Sequence, residues 1–281
     1  MKKIAGILLF CSLVFILSGC CSARKKTAEE TFGNTDKNEV VPPQGYLKVG
    51  ETFHYKVGWL SLDVGSASLS VKEKQVMDGR EVYVVYLTTS TNKFFSFFYN
   101  VKGEVFSYID AVTLKPVKHD SETIINKKTV FKKITYDFKK NIAYSEDKKG
   151  HHEITIPDGV LDPLGVFYYF SLKPFVVNQP IEFVINGGKK NFPVTVFVKT
   201  IKTIKIPAGI FDAFLVEPTL DSERQFDEIL NAQGRMRIWF SADERRIPLM
   251  ITLKVPVGTA KAILNEIEYT ESNDPESRMN N

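Results

Sequence analysis

The sequence predicts an all-β fold, mainly antiparallel: a single curved sheet, sandwich or half-barrel of about 12–14 strands with one or two short helices. Three observations carry that expectation. Apolar and polar residues alternate with a period of two, turn-forming residues recur at short intervals, and only two segments read as helix. The first strand is the clearest, with Phe53, Tyr55, Val57 and Trp59 alternating with Thr52, His54, Lys56 and Gly58. The same pattern returns at Ala67-Leu69-Val71, Val82-Val84-Tyr86, Val130 to Phe138, Val194-Val196-Val198, from Leu215, at Met236-Ile238-Phe240 and at Ile251-Leu253-Val255. Turns are marked by Asp78-Gly79, Asn141, Gly150, Gly187-Gly188, Pro207-Ala208-Gly209 and Val257-Gly258. The helical segments are Leu164 to Phe170, opened by Asp162 as N-cap and Pro163 at the first position, and Asp221 to Ala232, a short helix or a long loop.

The chain begins with Lys2-Lys3 and an apolar run from Ile4 to Leu17 that ends in Leu17-Ser18-Gly19-Cys20. A basic start, a short apolar core and small residues before a cysteine fit a cleaved export signal over residues 1–19 better than an uncleaved membrane anchor. Leu17-Ser18-Gly19-Cys20 resembles the lipobox of bacterial lipoproteins, which implies acylation of Cys20 as the first mature residue. Residues 20–43 are polar and end in Pro42-Pro43, too poor in apolar side chains to fold, so they read as a tether. Residues 271–281 have the same character as a tail, leaving one β domain over 44–270.

Without the signal the chain keeps 35 basic and 33 acidic residues, a balance that argues against a nucleic-acid partner. Beyond Cys21 there is no cysteine, so thiol and zinc-thiolate chemistry are excluded from the body, and no cofactor is expected. Cys21 itself reads as a bystander, a second acylation site or an intermolecular thiol.

Several strands in order resemble the domain-of-unknown-function family 3108 of exported bacterial envelope proteins. The blocks are Phe53-His54-Tyr55-Lys56-Val57-Gly58-Trp59 with Val64 to Leu69, then Phe98-Tyr99-Asn100-Val101 with Ser107 to Asp110 and Thr113 to Pro116, and finally Gly234, Ile238 to Pro248 and Gly258. Together they span about residues 49–270. The resemblance implies an exported antiparallel β domain, similar in fold to periplasmic lipoprotein carriers in which a helix caps an apolar concave face. In enteric lipoproteins an aspartate after the acylated cysteine retains the protein at the inner membrane. Cys21 at that position implies an outer-membrane protein facing the periplasm.

No catalytic motif stands out. His151-His152-Glu153 carries metal-ligand chemistry, but neighbours on a strand point to opposite faces. His54 and His119 lack a Gly-x-Ser-x-Gly elbow or a Ser-x-x-Lys pair to work with. The Asp243-Glu244-Arg245-Arg246 turn either forms a self-bonded hairpin or presents Arg245 or Arg246 as a fork to a carboxylate or phosphate.

The run Phe94-Phe95-Ser96-Phe97-Phe98-Tyr99 cannot lie on one sheet face. It either packs into the core as a helical turn, lines a cavity, or makes a membrane-facing rim. Paired lysines, among them 127-128, sit near turns, where they blunt sheet edges or meet anionic head groups. Candidate ligand-binding residues are therefore Phe94, Phe95, Phe97, Phe98, Phe167, Tyr168, Phe170, Arg245 and Arg246, with Cys20 as the lipidation site. The expected function is non-enzymatic binding of an apolar ligand or envelope protein by a chain anchored to the membrane through Cys20. A hydrolase or transferase acting on envelope glycans or lipids, and a structural assembly component, are the alternatives.

Overall fold

The computed structural model describes residues 47–220, 236–255 and 257–270. Among them one 14-stranded antiparallel sheet runs through the whole body, as the alternation predicts. Its strands in chain order are β1 (Glu51–Trp59), β2 (Leu62–Met77), β3 (Arg80–Thr91), β4 (Val101–Asp110), β5 (Pro116–Ile125), β6 (Lys128–Asp137), β7 (Ile142–Asp147), β8 (Gly150–Thr155), β9 (Pro180–Asn186), β10 (Asn191–Ile206), β11 (Gly209–Leu220), β12 (Met236–Ser241), β13 (Pro248–Lys254) and β14 (Thr259–Tyr269). The spatial order is β8 to β1 and then β14 to β9. Two hairpin meanders are thus joined side by side where β1 pairs with β14, in the register Phe53↔Ile267 and Tyr55↔Leu264, with a bulge between His54 and Tyr55.

That order leaves β8 and β9, consecutive in the chain, as the two free edges of the sheet. The segment between them closes the gap without completing a ladder. Leu161 makes a parallel bridge to Ile185, its amide donating to Val184 and its carbonyl accepting from Asn186. The β9–β10 turn then leans on the opposite meander. Lys132 Nζ donates to the Gly187 carbonyl at 2.5 Å, Ser145 Oγ donates to the Gly188 carbonyl, and Lys189 pairs with Asp147 at 2.5 Å. The body is a half-barrel whose edges are fastened by side chains.

The concave face holds the core, and its burial alternates as the period-two pattern requires. Val105, Ser107 and Ile109 of β4 are buried, while Lys102, Glu104 and Phe106 face outward. The connecting segment supplies residues to each of three packed clusters: Ile156 and Val160 beside Ile134, Leu164 beside Tyr55 and Ile109, and Leu161, Val166, Phe170 and Phe175 beside Phe183 and Phe240. The helix expected after Asp162-Pro163 spans only Val166–Tyr169 and continues as a 3-10 turn over Phe170–Leu172. It starts late because residues 163–165 are used as a turn. The possible helix over Asp221 to Ala232, the signal, the tether and the tail lie outside the described residues.

Gly188 has a φ of +85°, and a Cβ there would come within 2.9 Å of Lys132 Cδ and 3.1 Å of Ile134 Cδ1. Gly79, at the tip of the β2–β3 hairpin, has a φ of +76° and open space around it. Replacing Gly79 with alanine is expected to cost about 1 kcal/mol from backbone strain alone. Gly188→Ala should cost about 1–3 kcal/mol in overpacking beyond that. Urea unfolding of the two variants checks the difference, and equal midpoints would mean that the turn does not bear on β6.

Candidate functional site

The most buried polar cluster fastens the connecting segment to the sheet. His119 on β5 and Asp162 are each 1 % exposed, and His119 Nδ1 lies 2.9 Å from Asp162 Oδ2, so the ring donates to the carboxylate. The same carboxylate accepts the backbone amides of Leu164 at 3.2 Å and Gly165 at 2.9 Å, so Asp162 closes the turn that precedes the helix; the helix N-cap expected at Asp162 falls instead at Gly165, with no side-chain cap. Three hydrogen bonds to one carboxylate therefore serve a turn and a strand together. Tyr136 lies close enough that Asp162 adds to the effect of burial in pushing the phenol well above its usual range.

Ser107 is the direct cross-strand neighbour of His119. The trio has the composition of a hydrolytic triad, but its burial argues for a structural role. Ser107 is wholly buried, its Oγ makes no hydrogen bond, and His119 and Asp162 are sealed beneath the connecting segment. A substrate carbonyl would have to displace that segment to meet them. The other histidines are dispersed. His54 meets Glu268 at 2.8 Å, His152 approaches Asp147 at 3.4 Å, and His151 faces outward, as expected for neighbours on a strand. Among the described residues no three potential ligands converge on a metal position.

Both arginines of the Asp243-Glu244-Arg245-Arg246 turn are engaged. Asp243 Oδ1 accepts from Ser241 Oγ at 2.5 Å and from the Arg245 amide at 3.2 Å, closing the turn on itself. Arg245 pairs with Glu51 and donates to the Tyr269 hydroxyl at 2.9 Å. Burial opposes its charge, but Glu51 and the Tyr269 hydroxyl together offset this and hold its pKa above the usual value. Arg246 donates to the carbonyls of Ala242 and Asp243 and lies 5.3 Å and 5.0 Å from the Phe175 and Phe214 ring centres. Its pKa is lowered, with burial as the leading cause. These contacts tie the turn to the core and to β1.

The aromatic candidates divide into an interior and an exterior group. Phe170 is buried and packs its ring against Phe175, Phe183 and Phe240 at 5.7, 5.4 and 5.2 Å between centres. Phe167 and Tyr168 are half-buried against the core. The other four lie on a helix at the mouth of the half-barrel, Lys93–Phe98, between β3 and β4. The helix forms because Asn92 caps it, its Oδ1 accepting from the Phe95 amide at 2.9 Å while its Nδ2 donates to the Asp63 carbonyl at 2.7 Å. Only Phe95 packs against the core. Phe94, Phe97 and Phe98 are 68 %, 86 % and 67 % exposed, touching one another edge to face.

Leu60 of the β1–β2 turn, Leu62 at the start of β2 and Val257 of the β13–β14 turn extend the exposed apolar surface at this end. Leu60 abuts Gly258, and the Trp59 indole donates to the Val257 carbonyl at 2.7 Å. Sequence reading found the four phenylalanines but not these three residues, whose proximity comes from the β1–β14 pairing. Behind the rim the concave face is less filled. Ala67, Leu87, Thr89, Ser121 and Val130 point inward by register yet are only half-buried.

These features define a class: a β half-barrel closed by its own connecting segment, with an aromatic helix standing out at one mouth. A family model described as a protein of unknown function, DUF3108, matches residues 54–265, and the chain belongs to that family. Among solved structures it is similar to a β-barrel-like protein of the domain of unknown function DUF1849 from Brucella abortus. The identity is 11 % and the TM-score 0.55, over 80 % of this chain and all of that one, a likeness of fold. Looser likenesses, each with a TM-score of 0.37, are to a protein assigned as exported with a YmcC-like fold from Bacteroides fragilis and to one assigned as a lipoprotein from Parabacteroides distasonis. The first is 9 % identical over 81 % of this chain and 98 % of that one, the second 10 % identical over 83 % and 100 %. No curated protein matches the sequence.

Asp162→Ala removes the acceptor of a buried imidazole and of two backbone amides. The expected loss of stability is about 3–5 kcal/mol. Urea unfolding followed by circular dichroism checks it, and a wild-type midpoint would show that the segment is held by other contacts.

Proposed function

We propose that the protein is a non-enzymatic binding protein of the cell envelope, anchored through an acylated Cys20 and recognising an apolar ligand or partner at the mouth of its half-barrel. The observation that carries this reading is the helix Lys93–Phe98, which holds three phenylalanine rings in water while the interior aromatics are consumed by packing. Exposed apolar surface of this kind is costly to a free-standing body and marks a surface that is covered in use. The half-filled concave face behind the rim offers the same site some depth. The lipobox-like Leu17-Ser18-Gly19-Cys20 supports the anchor, and the Cys21 that follows favours the outer membrane, facing the periplasm.

Two measurements test the reading. Mass spectrometry of the N-terminal peptide from envelope-purified protein is expected to show a chain beginning at Cys20 and carrying acyl chains, and an unmodified N-terminus would end the anchor assignment. The apolar dye anilinonaphthalene sulfonate should brighten on the folded protein and lose most of that signal in the Phe94→Ser/Phe97→Ser/Phe98→Ser variant. Equal brightening would exclude the aromatic helix as the recognition surface.

A further inference from the structure

We propose that the aromatic mouth is an interfacial membrane-docking site, and that its partner is the anionic surface of the bilayer that carries the protein's own lipid anchor. This rests on the anchored-binder reading above and names what the rim binds.

The argument starts from the charges around the rim. Lys93 opens the aromatic helix and is exposed. Lys127 of the adjacent β5–β6 turn and Lys128 at the start of β6 are also exposed, and that turn is held to the end of the helix region by Asn126. The Asn126 amide donates to the Asn100 carbonyl at 2.7 Å, and its Oδ1 accepts from the Asn100 amide at 3.0 Å. None of the three ammonium groups makes a salt bridge among the described residues, whereas Lys115, Lys118 and Lys189 each pair with an aspartate. Of the acids beside the rim turns among the described residues, Asp63 on β2 accepts the Asn92 amide group at its backbone carbonyl, and Asp147 at the end of β7 is paired with Lys189. An anionic bilayer surface fits this arrangement. Large apolar side chains enter the acyl boundary while flanking lysines remain at the level of anionic head groups, each worth about 1 kcal/mol near such a surface.

Exposed apolar residues at the other end of the sheet lack this organisation. Val76, Val112, Ile210 and Tyr269 lie on four separate elements, and Ile201 lies on β10 within its strand, the scattered exposure that any surface shows.

The reach of the chain outside the described body permits docking on the membrane of its own anchor. Strand β1 enters at Glu51 and reaches the rim at Trp59, so its nine residues carry the chain about 30 Å from the N-terminal side to the mouth. Residues 20–46 can extend to at most about 90 Å, enough to pass the length of β1 and leave the mouth facing the bilayer.

The experiment uses the full acylated chain with Trp239→Phe, leaving Trp59 at the rim as the sole tryptophan. It is reconstituted in vesicles of phosphatidylglycerol and phosphatidylcholine with brominated acyl chains, and flotation and Trp59 quenching are read together. The parent should float and show quenching. Phe94→Ser/Phe97→Ser/Phe98→Ser and, separately, Lys93→Glu/Lys127→Glu/Lys128→Glu should float equally but show Trp59 emission no lower than in vesicles without bromine. Circular dichroism establishes that each variant is folded, and the lysine set touches only exposed side chains. Flotation of the parent without quenching, or quenching unchanged in either variant, overturns the docking proposal and leaves the anchor intact. A parent that fails to float overturns both.

Discussion

An open sheet of fourteen strands has an apolar concave face to cover and two edges to protect, and one segment of this chain does both. The stretch between β8 and β9 crosses from one edge to the other, so its position is fixed by the strand order itself. It bridges to β9 through Leu161 and contributes side chains to all three core clusters. The His119–Asp162 contact fixes where the segment descends into the trough, because the same carboxylate that caps the turn also takes the proton-bearing nitrogen of a strand residue on the opposite meander. A shift of the segment by one residue would leave a carboxylate and an imidazole buried without partners, which costs more than any single apolar contact returns. Specificity of placement is the role such a pair can play in an otherwise apolar core.

The edges are handled differently from the core. A closed barrel would pair β8 with β9 along their length, but here the contacts are side chain to backbone: Lys132 to Gly187, Ser145 to Gly188 and Asn191 Nδ2 to the Thr155 carbonyl. These satisfy individual carbonyls without imposing the tilt and stagger that full closure demands. The aromatic cluster of Phe170, Phe175, Phe183, Phe214 and Phe240 fills the interior beside β9 to β12.

Much of this architecture was legible in the sequence, because a half-buried strand writes its two faces directly into the residue order. Phe53-Tyr55-Val57 and the Gly187-Gly188 turn are examples, and Asp162 closes a local turn as its residue type suggests, although the helix after it starts later than the residue order implies. The strand neighbours across the β1–β14 seam were not legible, since alternation says which face is buried and nothing about which distant strand lies alongside. The partners of His119, Arg245 and Leu60 depend on that topology. Asp162, Glu51 and Gly258 lie 43, 194 and 198 positions away, and no local signal couples them. The aromatic run at 94–98 announced that it could not be a strand, but whether its rings point in or out depends on how much core remains for them to enter.

That last point ties the interior to the surface. On the concave side the aromatic space is taken by rings brought in by the connecting segment and by β9 to β12, and of the four phenylalanines on the mouth helix only Phe95 finds room against the core. The Asn92 cap and its bond to Asp63 hold the helix across the end of the sheet, so the remaining three rings are directed into solvent by the same contacts that seat the fourth. Had these residues existed merely to fill volume, small or polar substitutes at 94, 97 and 98 would serve the fold as well, because exposed rings return little burial energy. Large apolar groups at these positions, beside lysines that make no salt bridge, contribute little to how the protein folds and accord with a mouth that meets an apolar surface outside it.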